Sequence, residues 1–213
     1  LMPATAKEQA ALLEAGEIDL IYANPFDGAH LLRDLGFLAA AQPVGKADEM
    51  VIATAAGSPL QRLEDLRPGA RIALTDNHDV KLIGLRLLEA ADLNEHLLQW
   101  VPVDTYQAAA RLAMKGEVDA SFFLAETFHS LSRITRSQLR VLIESAIHDI
   151  THVLLANPRI AAELPTVVAA LEGIGKQAQD HEVLEALGIP GGFTRMPQED
   201  AEFMVDLMET LLD

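Results

Sequence analysis

The chain has 213 residues, half of them hydrophobic and 23% charged, which is the composition of a globular protein rather than a disordered one. Its 16 basic and 32 acidic residues give a formal net charge of −16, which repels nucleic acid and anionic membranes, so no nucleic-acid partner is expected. The absence of cysteine excludes disulfides, thiolate nucleophiles and cysteine metal sites. No run approaches the ~18 apolar residues of a transmembrane helix, so direct membrane insertion is not expected.

A short phrase occurs twice, as GEIDL at 16–20 and GEVDA at 116–120. Each copy follows a run with the apolar spacing of a helix, AKEQAALLEA and YQAAARLAMK. Gly16 and Gly116 stand where such a helix would end, because glycine enters the left-handed conformation without a steric penalty. Apolar runs follow both copies, so the sequence predicts helix, tight turn and strand twice, with strands typical of a sheet covered on both faces.

The stretch that contains the second copy alternates regularly. RIALT, LLQWVPV and EVDASFFL read as strands, and VKLIGLRLLEAADL and TYQAAARLAMK read as amphipathic helices between them. A βαβαβ run of this kind predicts a parallel sheet with right-handed crossovers. We expect one compact lobe over residues of about 57 to 145.

The remaining residues predict a second, discontinuous lobe. EMVIATAA at 49–56 and LRVLIES at 139–145 are extended and apolar, and we expect them to form a two-strand hinge. Lobe I then comprises 1–54 and 146–213, and lobe II comprises 55–145. In the C-terminal part of lobe I, helices are expected in PTVVAALEGIGKQAQ, HEVLEALG and PQEDAEFMVDLMETLL. Because only the last part of the repeat precedes GEIDL, we expect an N-terminally truncated chain lacking about 45 residues of lobe I.

Ligands of open parallel sheets bind beyond the carboxyl ends of the strands, so the residues after each predicted strand are candidates for a cleft that both lobes share. These candidates are Tyr22, Asn24, Pro25, Thr75, Asp76, Asn77, His78, Asp79, Asp104, Tyr106, Phe122, Phe123 and Glu126.

The segment TDNHD at 75–79 admits two interpretations. It precedes a predicted helix, so its backbone N–H groups could hold an anion or a carboxylate. Alternatively, Asp76 or Asn77 caps the helix with its own side chain. Asp76 and Asp79 would weaken the binding of a dianion in either case.

Other chemistry finds little support in the sequence. His148 and His152 have the i, i+4 spacing of a helical zinc site, but this stretch reads as a turn and a strand, which separates the two side chains by roughly 13 Å. Trp100 lies within a predicted strand and is expected in the core. The serines lie in no GxSxG turn, and there is no P-loop or GxGxxG, so we expect no enzyme, no cofactor and no metal.

The order of these pieces resembles the PhnD-like, phosphonate-binding family of type II periplasmic substrate-binding proteins. The resemblance rests on GEIDLIYANPFDGAHLLRDLGF, SPLQRLEDLRPGARIALTD, GLRLLEAADL, the GEVDA repeat and LRVLIES, and it covers the chain from Gly16 to about Gly192. It implies an α/β fold of two lobes with parallel-rich sheets flanked by helices, a Venus flytrap that closes on a small ligand. It also implies a periplasmic or extracellular location and an ABC permease as partner.

The ligand residues of the family carry over only in part. Its hydroxyl-bearing anion loop falls on Asp76, Asn77 and His78, so the hydroxyl donors are absent. The family's ligand histidine falls on Tyr106, which can donate a hydrogen bond. The acid that faces an amino group falls on Glu126, and a hinge aspartate falls on Thr151. These departures predict a related but different ligand, zwitterionic or cationic, or a sensor whose pocket has drifted.

The sequence therefore predicts a solute-binding component of an ABC importer, closing around a phosphonate-like, zwitterionic or other small polar solute. Two alternatives remain open: a ligand-sensing domain of a membrane receptor or transcription regulator, and an enzyme on the same fold that would use Glu126, His78 and Asp76.

Overall fold

The computed structural model describes residues 6–176 and 178–212 of the chain. The chain divides into two compact units. Unit 1 comprises Leu1–Lys46 and Thr151–Glu209, and unit 2 comprises Ala47–Ile150 and Thr210–Asp213.

The helices and strands alternate along the chain in three groups. The first stretch of unit 1 holds α1 (Ala6–Glu14), β1 (Leu20–Ala23), α2 (Pro25–Asp34) and β2 (Leu38–Pro43). Unit 2 holds β3 (Met50–Ala55), β4 (Arg71–Leu74), α3 (His78–Leu88), β5 (Gln99–Pro102), α4 (Tyr106–Met114), β6 (Ala120–Leu124), α5 (Ala125–Ser130), α6 (Arg133–Ser137) and β7 (Leu139–Glu144). After Ile150 follow β8 (Val153–Ala156), α7 (Leu164–Gly173), α8 (Ala178–Ala186), β9 (Phe193–Arg195) and α9 (Gln198–Leu212).

The sheet of unit 2 has the order β5-β4-β6-β3-β7. Its strands β5, β4 and β6 are parallel, and β3 runs antiparallel to both β6 and β7. The predicted βαβαβ run is therefore confirmed, with α3 and α4 as its crossover helices. Residues 47–54 were expected in lobe I, but they lie in unit 2 because β3 is hydrogen-bonded between two strands of this sheet.

The two faces of β6 bury their side chains against different helices. On one face, Phe123 packs with Ala109, Ala110 and Ala113 of α4 in a cluster of buried apolar residues. Phe122 points the other way, since side chains alternate along a strand, and its ring lies against Gly84 of α3. This sheet is covered on both faces, as its continuous apolar strands indicate.

The sheet of unit 1 corrects one detail of the expected fold. Its order is β1-β8-β2-β9, and the pairs β1–β8, β2–β8 and β2–β9 are all antiparallel. The α/β fold is confirmed, but only unit 2 contains the parallel pairing that was expected of both sheets. The reason is that β8, which returns from unit 2, runs between β1 and β2 and opposite to both.

The doubled phrase forms the same turn in each unit, as predicted. Gly16 and Gly116 have φ of +67° and +68°. The N–H of Glu17 donates to the carbonyl of Leu12, and the N–H of Glu117 donates to the carbonyl of Leu112. Each of these bonds spans six residues and closes the end of a helix, and a strand follows within a few residues in both units.

Three local expectations differ from the structure. The predicted helix over 165–179 is interrupted, since α7 ends at Gly173 and Gly175 has φ of +98°, while Gln177 lies outside the described residues. Strands β2 and β9 were not predicted. The crossings between the units lie at 46/47 and 150/151, outside β3 and β7, so the expected hinge strands belong to the sheet of unit 2.

Across residues 6–176 and 178–212, every helix is too short or too polar to cross a membrane.

Candidate functional site

A cavity of about 480 Å³ opens in unit 2 where β4 and β5 end and α3 begins. The strands are parallel neighbours with Leu74 opposite Pro102, so the segments that follow them leave the same edge of the sheet. The lining residues are Leu74, Thr75, Asp76, Asn77, His78, Lys81, Pro102, Val103 and Asp104. Four predicted site residues, Thr75 to His78, are thereby brought together.

Two hydroxyl groups of unit 2 are buried without a hydrogen-bond partner among the described residues, Thr75 Oγ1 and Tyr106 OH. Thr75 directly follows β4 and lines the cavity. Tyr106 is the first residue of α4, and its ring lies 6.2 Å from that of Phe123. A buried hydroxyl that lacks a partner costs about 1–3 kcal/mol, so these are places where a bound molecule can supply the missing hydrogen bond.

Asn77 caps α3 with its own side chain. Its Oδ1 accepts a hydrogen bond of 3.0 Å from the backbone N–H of Val80. The capping interpretation of TDNHD is therefore realised in the fold, and one N–H group at this helix end is already satisfied.

The cavity carries charges of both signs. Asp76 and Asp104 line it and are exposed, and His78 is exposed at the first position of α3. Lys81 forms an ion pair with Glu95, and its Nζ lies 5.4 Å from the centre of the Trp100 ring. Lys81 is thus the basic residue of this lining, and a carboxylate outside the lining balances it.

Phe122 does not reach a ligand-accessible surface, which corrects its assignment as a site residue. It is fully buried, its ring meets that of Trp100 edge-on at 5.7 Å, and it packs against Gly84. Phe123 is likewise fully buried. Glu126, by contrast, lies exposed in the first turn of α5, directly after β6.

The predicted site residues of unit 1 have different surroundings. Asn24 caps α2: its Oδ1 accepts from the N–H of Asp27 at 2.8 Å, and its amide donates to the Asp27 carboxylate. Thr151 is buried and donates from Oγ1 to the carbonyl of Lys46 at 2.9 Å. The fold therefore uses both side chains itself, and Thr151 ties together the two segments that lead into unit 2.

Tyr22 belongs to an aromatic cluster that sequence reasoning missed. Its side chain is half exposed, and its ring centre lies 5.3 Å from that of His152 and 6.1 Å from that of Phe193. His152 was considered only as a metal ligand, and Phe193 lies in an unpredicted strand. The cluster offers exposed ring surface at the end of β1.

The expectation about the two histidines of HDITH agrees with the backbone. His148 has φ of +65° in a turn, its N–H donates to Glu49 Oε1 at 2.8 Å, and His152 immediately precedes β8. Within residues 6–176 and 178–212, no three His, Asp or Glu side chains come together in a group that could hold a metal ion.

Solved structures of several proteins share the fold of this chain. XAC2383 from Xanthomonas citri bound to ATP matches with a TM-score of 0.77 and 17% identity, over 100% of this chain and 86% of its own. PhnD1 from Prochlorococcus marinus in complex with methylphosphonate matches with a TM-score of 0.78 and 13% identity, over 99% and 85%. The aliphatic sulphonate binding protein SsuA from Escherichia coli matches with a TM-score of 0.68 and 19% identity, over 95% and 78%. The fold is that of a type II periplasmic binding protein.

The family follows from the sequence itself. A model of the periplasmic substrate-binding proteins of ABC phosphonate transporters matches residues 1–201, and the chain belongs to this family. Its members are transport proteins rather than enzymes, which confirms the predicted functional class. No curated protein sequence matches the chain.

Proposed function

We propose that this chain binds a small polar solute at the carboxyl ends of β4, β5 and β6 of unit 2 and delivers it to an ABC permease outside the cytoplasmic membrane. The observation that carries the proposal is the Thr75 hydroxyl, which is buried without a partner in the lining of a cavity. The cavity volume of about 480 Å³ suits a small solute. Tyr106 and Glu126 follow β5 and β6, the two strands that flank β4 in this sheet, and are proposed as further ligand contacts.

The proposed mechanism is ligand-linked closure about the two segments that connect the units, with Tyr22 of unit 1 contributing to the closed state. Closure of this kind requires a ligand that makes more contacts in the closed state than in the open one. Small-angle X-ray scattering should then show a smaller radius of gyration with saturating ligand than without it.

A ligand screen tests the function directly. Thermal shift and calorimetry with phosphonates, phosphate, sulfonates, amino acids and polyamines should identify a solute that raises the melting temperature of the intact protein. A folded protein that none of these compounds stabilises would contradict the proposal.

Two threonines separate a ligand role from a structural role. Thr75→Val removes a hydroxyl that has no partner, so the free energy of unfolding should stay unchanged or rise, while affinity for the identified solute should fall about tenfold. Thr54→Val is the matched control, because the Thr54 hydroxyl donates to the carbonyl of Asp119 at 2.7 Å. This variant should lose about 1 kcal/mol of stability and keep its affinity. Unchanged affinity in Thr75→Val would remove the threonine from the site.

A further inference from the structure

We propose that the cavity at the ends of β4 and β5 selects an organic cation, a small molecule with an ammonium group, rather than a phosphonate or a sulfonate. This inference rests on the proposed function and concerns the chemistry of the ligand that the same cavity takes.

Two carboxylates occupy equivalent positions in the segments that follow neighbouring strands. Leu74 and Pro102 are aligned in the parallel pair β4–β5, and Asp76 and Asp104 each follow two residues later and line the cavity. Parallel neighbours lie about 4.8 Å apart, so the segments that follow β4 and β5 leave the sheet side by side, and each brings one acidic residue to the cavity. The pair attracts a cation and repels a dianion.

Lys81, the basic residue of the lining, does not cancel the negative potential of the two aspartates. The ammonium group of Lys81 forms an ion pair with Glu95 and lies over the ring of Trp100, so its charge is already compensated. An anion that recruited Lys81 would have to compete with the Glu95 carboxylate while approaching Asp76 and Asp104.

The N-terminus of α3 could attract an anion, but side chains of the protein itself already interact with it. The positive end of a helix dipole favours negative groups near its first turn. At α3 the neutral Asn77 side chain already accepts from the N–H of Val80, and the carboxylate of Asp79, buried in the first turn, supplies the negative charge. A phosphonate placed here would add charge where charge is already supplied.

Thr75 provides the independent sign that this cavity holds a ligand. The residue is 7% exposed and lines the cavity, and its Oγ1 is buried without a partner among the described residues. A hydroxyl oxygen accepts hydrogen bonds, so an ammonium N–H can donate to it while the aspartates balance the charge. The net charge of −16 further favours the approach of cations at low salt.

Calorimetry of the full chain at low ionic strength, with three matched sets of probes, tests this inference. The cations are choline, ethanolamine and putrescine; the neutral analogue of choline is 3,3-dimethylbutan-1-ol; the anions are methylphosphonate, ethanesulfonate and phosphate. We expect at least one cation to bind more tightly than every anion, and choline to bind more tightly than its neutral analogue.

Substitutions test whether Asp76 and Asp104 are responsible for the preference for cations. Asp76→Asn and Asp104→Asn should each weaken binding of the preferred cation about tenfold, and the double variant should show a higher relative affinity for methylphosphonate. Asp92→Asn is the control, because Asp92 is an exposed acid of unit 2 at the left-handed end of the helical turn after α3 and lies outside the lining. It removes the same charge and should leave the affinity unchanged.

The possible outcomes separate the charge preference of the cavity from the proposed function. Cation binding that falls in both cavity variants but not in Asp92→Asn supports the inference. Tighter binding of an anion than of every cation overturns the inference and leaves the proposed function intact. Equal weakening by Asp92→Asn also overturns it, because the effect would then be one of overall charge. If none of these probes binds, and none of the solutes in the ligand screen binds either, both the inference and the proposed function fail.

Discussion

Gly84 lies in the middle of α3, where the ring of Phe122 approaches the helix backbone. A Cβ atom at this position would lie 2.2 Å from Phe122 Cε2 and 2.8 Å from Cδ2. Replacing glycine with alanine inside a helix ordinarily stabilises it by about 0.5–1 kcal/mol. Here the ring is fully buried and cannot move without displacing its neighbours, so overpacking outweighs the gain in helix propensity.

We therefore expect Gly84→Ala to lower the free energy of unfolding by about 1–3 kcal/mol, measured by urea denaturation. Gly173→Ala is the matched control, because Gly173 ends α7 and has no atom within 4 Å of its would-be Cβ; its stability should not fall. Adding Phe122→Leu to Gly84→Ala should recover part of the loss. A Gly84→Ala variant as stable as the parent would show that the ring yields at no cost.

The burial of Phe122 could not be inferred from the sequence. ASFFL contains two adjacent phenylalanines, and both faces of its sheet are covered, so no apolar-polar alternation shows which ring is accessible. The capping role of Asn77 was one of the two interpretations of TDNHD, since asparagine before a helix commonly caps it. The Thr75 hydroxyl is buried without a hydrogen-bond partner in the described part of the chain because of tertiary packing, which no pattern in the sequence predicts.

At the scale of elements, β7 supports the turn that follows β3 through one side chain. Arg140 donates from Nη1 to the carbonyls of Ser58 and Leu60 and from Nη2 to the carbonyl of Ala56, at 2.8 to 3.0 Å. The planar guanidinium group serves three carbonyls at fixed angles, which the single ammonium group of lysine cannot reproduce.

Arg140→Lys should lower the free energy of unfolding by about 1–2 kcal/mol, because at least one partly buried carbonyl loses its donor. Arg133→Lys, at an exposed position of the neighbouring helix α6, makes the same change and should be neutral in urea denaturation. In hydrogen exchange, the amide of Ser58, which donates to the carbonyl of Ala55, should exchange faster in Arg140→Lys. Equal stability of the two variants would contradict the assigned role.

Elements with strong periodicity were predictable, and those built by their neighbours were not. The βαβαβ run of unit 2 has long amphipathic helices and glycine stops, so its order was confirmed. Strand β2 has the sequence LAAAQP, which lacks the β-branched and aromatic residues that favour strands. It is extended because β8 and β9 pair with it on both sides, and that information is distant in sequence.

At the scale of the whole molecule, the net charge of −16 opposes the compact state through self-repulsion. The Debye length falls from about 10 Å at 0.1 M salt to about 3 Å at 1 M, so sodium chloride should raise the melting temperature over this range. Differential scanning calorimetry without added ligand measures the effect. Sodium sulfate at equal ionic strength is the control for surface exclusion, and a melting temperature that stays level or falls in chloride would contradict the expectation.

The position of β8 determines when unit 1 can be assembled during synthesis. In the described sheet, β1 and β2 are joined only through β8, at Val153–Ala156. A ribosome therefore completes the whole of Ala47–Ile150 before it makes the strand that joins them. Strands β1 and β2 are consequently made before unit 2 but obtain their shared partner only after it. Until then, the nascent chain carries β1 and β2 with open edges, which are the surfaces that chaperones protect from aggregation.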